Sequence, residues 1–401
     1  MDRARLLDTI NRLGEIGANE GGGVDRVCLT PKFVEAARFT VGLMEEAGLE
    51  AHVDEVGNIV GVWNGGSDLA PVVAGSHIDT VVNAGRLDGA YGVLGAVEAI
   101  RTIREKGLEV SRPLVAAAFM NEEGVRYRAM TGSRYFAGLL RAEDALPLVD
   151  GEGVSFREAM KAMHQVGKGG GPAMKAPQAF VELHIEQGPI LESRKINIGV
   201  VDNIVGIRQF DVRLEGAADH AGTTPMDRRS DALVAASKLV LKVSELAAAA
   251  GGVGTVGFLE NRPNAPNVVP GTVRLTVDLR HGSGAELGRL AEEVRRAAEK
   301  TSAASGCGLE IMPRLTLEPT KMDEGVKRVV ESSSSDLGLS HEAINSGAGH
   351  DTVNLAKVTA VGMVFVPSVG GKSHTPAERS KNADLVNGAN VLATTLFRLA
   401  S

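Results

Sequence analysis

Cysteine is nearly absent. Cys28 and Cys307 are the two in 401 residues, far apart and in no CxxC pair. That leaves no disulfide framework and no thiolate metal site, and it fits a reducing compartment. Aromatic residues are scarce at 3%, so the interior must rest on Val, Leu, Ile and Ala. A basic excess is missing too: the net charge is −7 and spread along the chain. A general nucleic-acid binder, which needs a basic face to displace counterions, is excluded, although a local basic pocket for a small anion is not. No uninterrupted apolar run approaches the ~20 residues of a membrane span. The opening segment MDRARLLDTINRLGEIG carries charges throughout, lacks the apolar stretch of a signal peptide and reads as an amphipathic helix, so a cytoplasmic protein is expected. No GxGxxG follows the first strand and no GxxxxGK[ST] occurs anywhere, which leaves a nucleotide or nicotinamide enzyme without support.

What is present has the profile of a globular chain, with 43% hydrophobic residues, 23% charged residues and 49 glycines. Its length suggests two to three domains. Up to about residue 200 helix and strand patterns alternate: a helix around 31–48, strands at 50–54 and 58–63, a buried strand at 71–79, a helix at 90–106, a buried strand at 113–123, and, after a Gly/Pro-rich loop at 167–177, another at 179–186. Such alternation predicts an α/β fold, a mostly parallel mixed sheet flanked by helices. Near 206 the texture changes to a half-buried strand, a long Ala-rich helix at 228–250, two strands, a helix at 284–304 and a strand near 308–316. This β-α-β-β-α-β order predicts an inserted α+β ferredoxin-like domain. We therefore expect a catalytic domain from 1–206 and 318–401, ending in a helix at 383–400, and an inserted lid or dimerisation domain at 207–317 with hinges at its two ends. The short run Ser332–Ser335 is expected on a helix surface or turn.

His, Asp and Glu gather in a few short segments: GSHIDT (75–80), GRLDGAYG (85–92), MNEEG (120–124), LHIEQG (183–188) and KSHTP (372–376). Taken alone, each has an ordinary alternative. His77 can be a satisfied core histidine, with Asp79 an unrelated turn residue or the partner of its second ring nitrogen. Asp88 can cap the helix that follows or bridge two cations, one per oxygen. Glu122 and Glu123 can be a solvated pair, but after a core strand two adjacent carboxylates are costly unless a cation or a proton neutralises them. Together the segments place three histidines and several carboxylates at strand exits, where an open α/β sheet carries its site. Mixed imidazole–carboxylate ligation suits Zn²⁺, Mn²⁺, Co²⁺ or Ni²⁺.

With these segments and DHAGTTPM, PNVVPG, DLR and SGAGHD in this order along the whole chain, the sequence resembles the hydantoinase/carbamoylase family of amidases, within the dinuclear aminoacylases and metallocarboxypeptidases. The resemblance implies two divalent metal ions per subunit, one held by His77, Asp88 and His184 and the other by Asp88, Glu123 and His374. It implies Glu122 as general base, Asp79 as the partner of His77, and His220 as the group that stabilises the oxyanion, in family members often that of the other subunit. Asn267 and Arg280 correspond to residues that grip a substrate carboxylate, and Gln187, Gly349 and His350 to further substrate contacts. Asn121 stands where some relatives carry an acid. The implied activity is hydrolysis of the carbamoyl C–N bond of N-carbamoyl-L-amino acids, with allantoate amidohydrolase or β-ureidopropionase as alternatives. A non-catalytic binding protein on the same fold is the remote one, and none of the implied ligands is substituted. The implied partners are a small ureido carboxylate substrate and, from the resemblance alone, a second copy in a homodimer.

Overall fold

The computed structural model describes residues 1–64, 67–170 and 176–401, and the side chain of His164 is not described. Contacts divide the chain into two compact units, Met1–Asp202 with Lys321–Ser401, and Asn203–Thr320.

In the larger unit four fully or almost fully buried strands run parallel: Ala360–Val366, Ala179–Ile185, Val72–His77 and Leu114–Phe119, in that order across the sheet. Their near-continuous Val, Ala, Leu and Phe content suits a sheet covered on both faces. Antiparallel strands extend it: Ile198–Ile204 beside Ala360–Val366, and Ile59–Trp63 then Glu50–Val53 beyond Leu114–Phe119. Helices Arg3–Glu15, Ala90–Glu105, Glu324–Asp336 and Asn382–Ala400 pack on one another as one layer, and the short helices Thr131–Phe136 and Thr352–Leu355 form another cluster against the sheet. Local chemistry marks the helix starts: Asp2 and Thr30 accept the N–H of Arg5 and Phe33, and Pro31 occupies the first turn, where its missing N–H costs nothing.

The smaller unit is a four-stranded antiparallel sheet, ordered Val253–Arg262, Thr272–His281, Gly206–Glu215 and Gly308–Leu317. Helices Ala232–Ala249 and Gly284–Ala304 cover its apolar face, burying Leu239, Val243, Leu275, Val277, Leu290 and Val294. A two-stranded ribbon pairs Asp219–His220 with Val268–Val269. The β-α-β-β-α-β order is the ferredoxin-like one.

Several expected elements differ in extent. The strand read at 113–123 stops at Phe119, because Asn121 turns into the left-handed region (φ 58°), where its side-chain amide bonds the Arg128 carbonyl at 2.7 Å. The Ala-rich helix begins at Ala232, capped by Asp231, after a short turn at Met226–Arg228. Ser332–Ser335 lie in a helix, Ser332 and Ser335 exposed on its surface as expected and Ser333 and Ser334 buried; the Ser334 hydroxyl satisfies itself on the Val330 carbonyl at 2.9 Å. Of the loop read at 167–177, Lys168–Gly169 pairs as a short strand with His52–Val53, and residues 171–175 lie outside the described ones.

Candidate metal centre

The exits of the parallel strands deliver the site. Val72–His77 ends on His77 and Ala179–Ile185 carries His184 one residue before its end, both inside buried strands. Asp88 lies in the turn before helix Ala90–Glu105, which starts without a side-chain cap, so its carboxylate is not spent as an N-cap. Gly89 there has φ 62°, and a Cβ on it would overlap the His77 imidazole. Only glycine meets both demands at once. Glu122 and Glu123 follow the left-handed Asn121, and their two N–H groups each donate to one oxygen of Asp79 at 3.2 Å. That bidentate grip fixes the backbone of both acids, whose carboxylates come together with His77.

Three imidazoles converge on Asp88. Its Oδ1 lies 3.2 Å from His184 Nε2 and 3.6 Å from His77 Nε2, and its Oδ2 lies 3.2 Å from His374 Nε2. His374 Nε2 also lies 3.5 Å from Glu123 Oε1, and His77 Nε2 lies 3.7 Å from Glu122 Oε2. Potential ligand atoms fall within 4.8 Å of one another in three groups: His77, Asp88 and His184; Asp88, Glu123 and His374; and His77, Glu122 and Glu123.

The donors fit cations. His77 Nδ1 faces the Asp79 carbonyl at 3.0 Å and His184 Nδ1 faces the Ile185 carbonyl at 2.9 Å. A carbonyl can only accept, so each Nδ1 donates and each neutral ring keeps a lone pair on Nε2: that of His77 faces Asp88, while that of His184, beside Asp88, also accepts the Gly89 N–H at 3.0 Å. Lone pairs facing a carboxylate repel unless a proton or a cation lies between them. Glu123 Oε1 is buried without a hydrogen-bond partner, a further acceptor waiting for a positive charge. Without a cation, protons do the neutralising. Burial opposes the charged form of His77, but Glu122, Asp88, Asp79 and Glu123 outweigh it and hold its pKa well above the ordinary value. Asp88, although burial works against its charge, is held well below the carboxylate range by the three histidines. Burial drives Glu122 well above that range, with Asp351 and Glu123 adding to the push, and lifts Glu123 to about 7.

Not every residue sits as its expected role implies. The second nitrogen of His77 meets the main-chain oxygen of Asp79, with the carboxylate farther off at 3.6 Å, because that carboxylate serves the two glutamate N–H groups. Gln187 (φ 59°) donates to Asp88 Oδ2 at 2.7 Å, leaving its own oxygen buried and unpartnered. His350 is buried with Nε2 2.8 Å from the Ser346 hydroxyl and its ring 4.6 Å from that of His184, and burial holds its pKa well below the ordinary value. Gly349 beside it is exposed. Glu186 turns away to accept the N–H groups of Ile190 and Leu191 at 2.7 and 2.9 Å. In the smaller unit the exposed His220 accepts the N–H of Gly222 and Thr223 on Nδ1, at 3.0 and 3.1 Å, and the Asn267 carbonyl accepts the Ala221 N–H at 3.0 Å. The Arg280 guanidinium lies along Asp278, 3.0 Å from Nε to Oδ1.

Among the buried charged groups that escaped the sequence reading, two hold the main chain of the site. Arg26 donates to the Ile78 carbonyl at 2.6 Å, between His77 and Asp79, and to the Leu13 and Ile16 carbonyls at 2.9 and 3.0 Å. Glu378 holds the main chain at Asp88. A lone Arg and a lone Glu in loop sequence give no signal of burial.

The model of peptidase family M20/M25/M40 matches residues 73–398. The chain belongs to that family. It is 40% identical over 395 residues, 97% of this chain and 96% of the other, to a protein from Paenarthrobacter aurescens named N-carbamoyl-L-amino-acid amidohydrolase. To one from Escherichia coli named allantoate amidohydrolase it is 37% identical, over 99% of this chain and 98% of that one. The crystal structure of an amidase of the hydantoinase/carbamoylase family from Burkholderia multivorans superposes with a TM-score of 0.94 at 37% identity, covering 100% of this chain and 98% of that one. Within the M20 family the chain is thus a member of the hydantoinase/carbamoylase branch. Among its described residues no helix is long and apolar enough to cross a membrane.

Proposed function

We propose that this protein is a metal-dependent amidohydrolase that cleaves the carbamoyl C–N bond of N-carbamoyl-L-amino acids, giving the amino acid, CO₂ and ammonia. The observation that carries the proposal is Asp88, a buried carboxylate with imidazole nitrogens at 3.2 Å on each of its two oxygens. His77, Asp88 and His184 would hold one divalent ion, and Asp88, Glu123 and His374 the other, with Zn²⁺, Mn²⁺, Co²⁺ and Ni²⁺ as the ions this donor set suits. Bound there, such a pair supplies Lewis-acid charge and brings the pKa of a water toward ~7.

Glu122 is the proton carrier. Its carboxylate is buried beside His77, outside both assigned ligand sets, and it can take a proton from the attacking water and later pass it to the departing nitrogen. Asp79 fixes it by its main-chain N–H. His220 is assigned to the developing oxyanion. Its Nδ1 accepts two backbone N–H groups, so the neutral ring carries its proton on Nε2 and presents a donor. Arg280 and Asn267 are assigned to the substrate carboxylate, which a guanidinium fork can grip through two N–H groups, and Gln187, Gly349 and His350 to the remainder of the ureido acid.

A homodimer is part of the same reading. The outer strands of the ferredoxin-like sheet expose Phe258 and Leu259 on one edge and Met312, Leu315 and Leu317 on the other, edges without a strand partner among the described residues that a second copy could cover. Light scattering at several concentrations reads the mass.

The deciding experiment is ammonia release from metal-reloaded enzyme offered several N-carbamoyl-L-amino acids, N-carbamoyl-β-alanine and allantoate. Fastest turnover of the carbamoyl-L-amino acids is expected. The E. coli relative makes allantoate the second reading, and preference for it would move the assignment there.

A further inference from the structure

Two of the proposed ligands, Asp88 and His374, come from loops distant in sequence. The His374 imidazole is 49% exposed and its backbone is left-handed (φ 55°), so packing contributes little to holding it. Glu378 joins the two loops. Its buried carboxylate accepts the N–H of Leu87 and of Asp88 on Oε1, at 2.9 and 3.1 Å, and the Ser373 hydroxyl on Oε2, at 2.7 Å. The same hydroxyl lies 2.8 Å from Asp88 Oδ2. A hydroxyl carries one proton, so Ser373 donates to one carboxylate at a time and keeps both within reach. The Glu378 N–H closes the turn after His374 onto the Thr375 carbonyl at 3.0 Å. The side chain presses so closely on Gly85 that a Cβ there would overlap the carboxylate. Glu378 itself belongs to none of the ligand groups.

We propose that Glu378 is a positioning residue that sets Asp88 and His374 at a common distance from a cation, so that occupancy of the site formed by Asp88, Glu123 and His374 depends on an acid that does not touch the metal. The proposal rests on the dinuclear reading above. Hydrogen-bond partners behind metal ligands change affinity by 10–100-fold when removed. Asp88 is shared by both sites, but here the larger effect falls on one, because His77 and His184 are carried by strands that Glu378 does not hold, whereas Asp88 and His374 both come from the loops it joins.

The test uses the full chain, stripped with a chelator and reloaded with Zn²⁺, with metal per chain counted by mass spectrometry and affinities read by chelator competition. Wild type is expected to take two ions. Glu378→Ala should bind the ion of the Asp88, Glu123 and His374 site about 10–100-fold more weakly and the other clearly less so, with the melting temperature of the metal-free protein near that of wild type. Glu378→Gln keeps an oxygen for the two N–H groups and should recover most of that loss, whereas Ser373→Ala, which removes the second arm, should weaken the same site. Unchanged affinity at both sites in Glu378→Ala overturns the proposal, as does equal weakening of both. Should that variant not fold, Ser373→Ala decides, and an unaltered second site there overturns it. A wild type that takes fewer than two ions sinks the dinuclear reading and this proposal with it, a result seen before any variant is made.

Discussion

Replacing Glu122 by Gln separates two roles that distance alone permits. Glu122 lies within ligand range of His77 and Glu123, yet the assignment above leaves it free of metal and makes it the base. The amide has nearly the same volume, and the main-chain N–H that donates to Asp79 is untouched, so the loop should keep its shape. What disappears is the ability to accept a proton and return it. A positioned general base contributes typically 10²–10⁴-fold, or about 3–5 kcal/mol of barrier at ~1.36 kcal/mol per decade. The carboxylate is buried, so bulk water is a poor substitute and the loss should lie in the upper part of that range. The assay pairs kcat from ammonia release with metal content of the same sample. Two ions per chain and a kcat lower by about 10³–10⁴ are expected. Turnover within tenfold of wild type would remove Glu122 from proton transfer, and loss of an ion would make it a ligand.

Metal binding should depend steeply on pH. In the metal-free protein His374 is pushed up to about 9, chiefly by Asp88, with Glu123 adding to it. Its ring is protonated below that value and must lose the proton to ligate, so affinity falls as pH falls, about tenfold per unit and about a hundredfold by neutral pH. Calorimetry in buffers of different ionisation enthalpy should register proton release, and an affinity flat from about pH 7 to 9 would refute the placement of His374. Gly89→Ala should cost about 1–3 kcal/mol through its positive φ, and it should also loosen metal by crowding His77; normal melting and metal content would show that the contact is not needed. Arg280→Lys keeps the charge and loses the fork, so KM should rise about 10–100-fold, the worth of a charged hydrogen bond or two, with kcat less affected. An unchanged KM would take Arg280 out of carboxylate binding.

The strands at 71–79 and 179–186 were legible because β-branched and small apolar residues ran unbroken between turn signals, and the structure places them as Val72–His77 and Ala179–Ile185. The ferredoxin-like order was legible from the change to alternating strands near 206, and it stands in the smaller unit. Element ends were less legible. The strand before Glu122 ends early because Asn121 bonds residues seven and ten positions on, an interaction that no local pattern encodes.

The histidines and acids at strand exits are a property of the sequence, since buried parallel strands release their next polar residue at one edge of the sheet. Their pairing is not. Asp88 and His374 are 286 positions apart, and only the folded chain brings the oxygen of one to 3.2 Å from the nitrogen of the other. Asp79 was expected at an imidazole, and the fold gives its carboxylate to two backbone N–H groups instead. Glu378 and Arg26 read as ordinary loop residues until burial makes each one's hydrogen bonds count. Residue type and period decide which elements form and which face they bury. Which charges must answer one another is decided by distance and loss of water, and both exist only once the sheet is assembled.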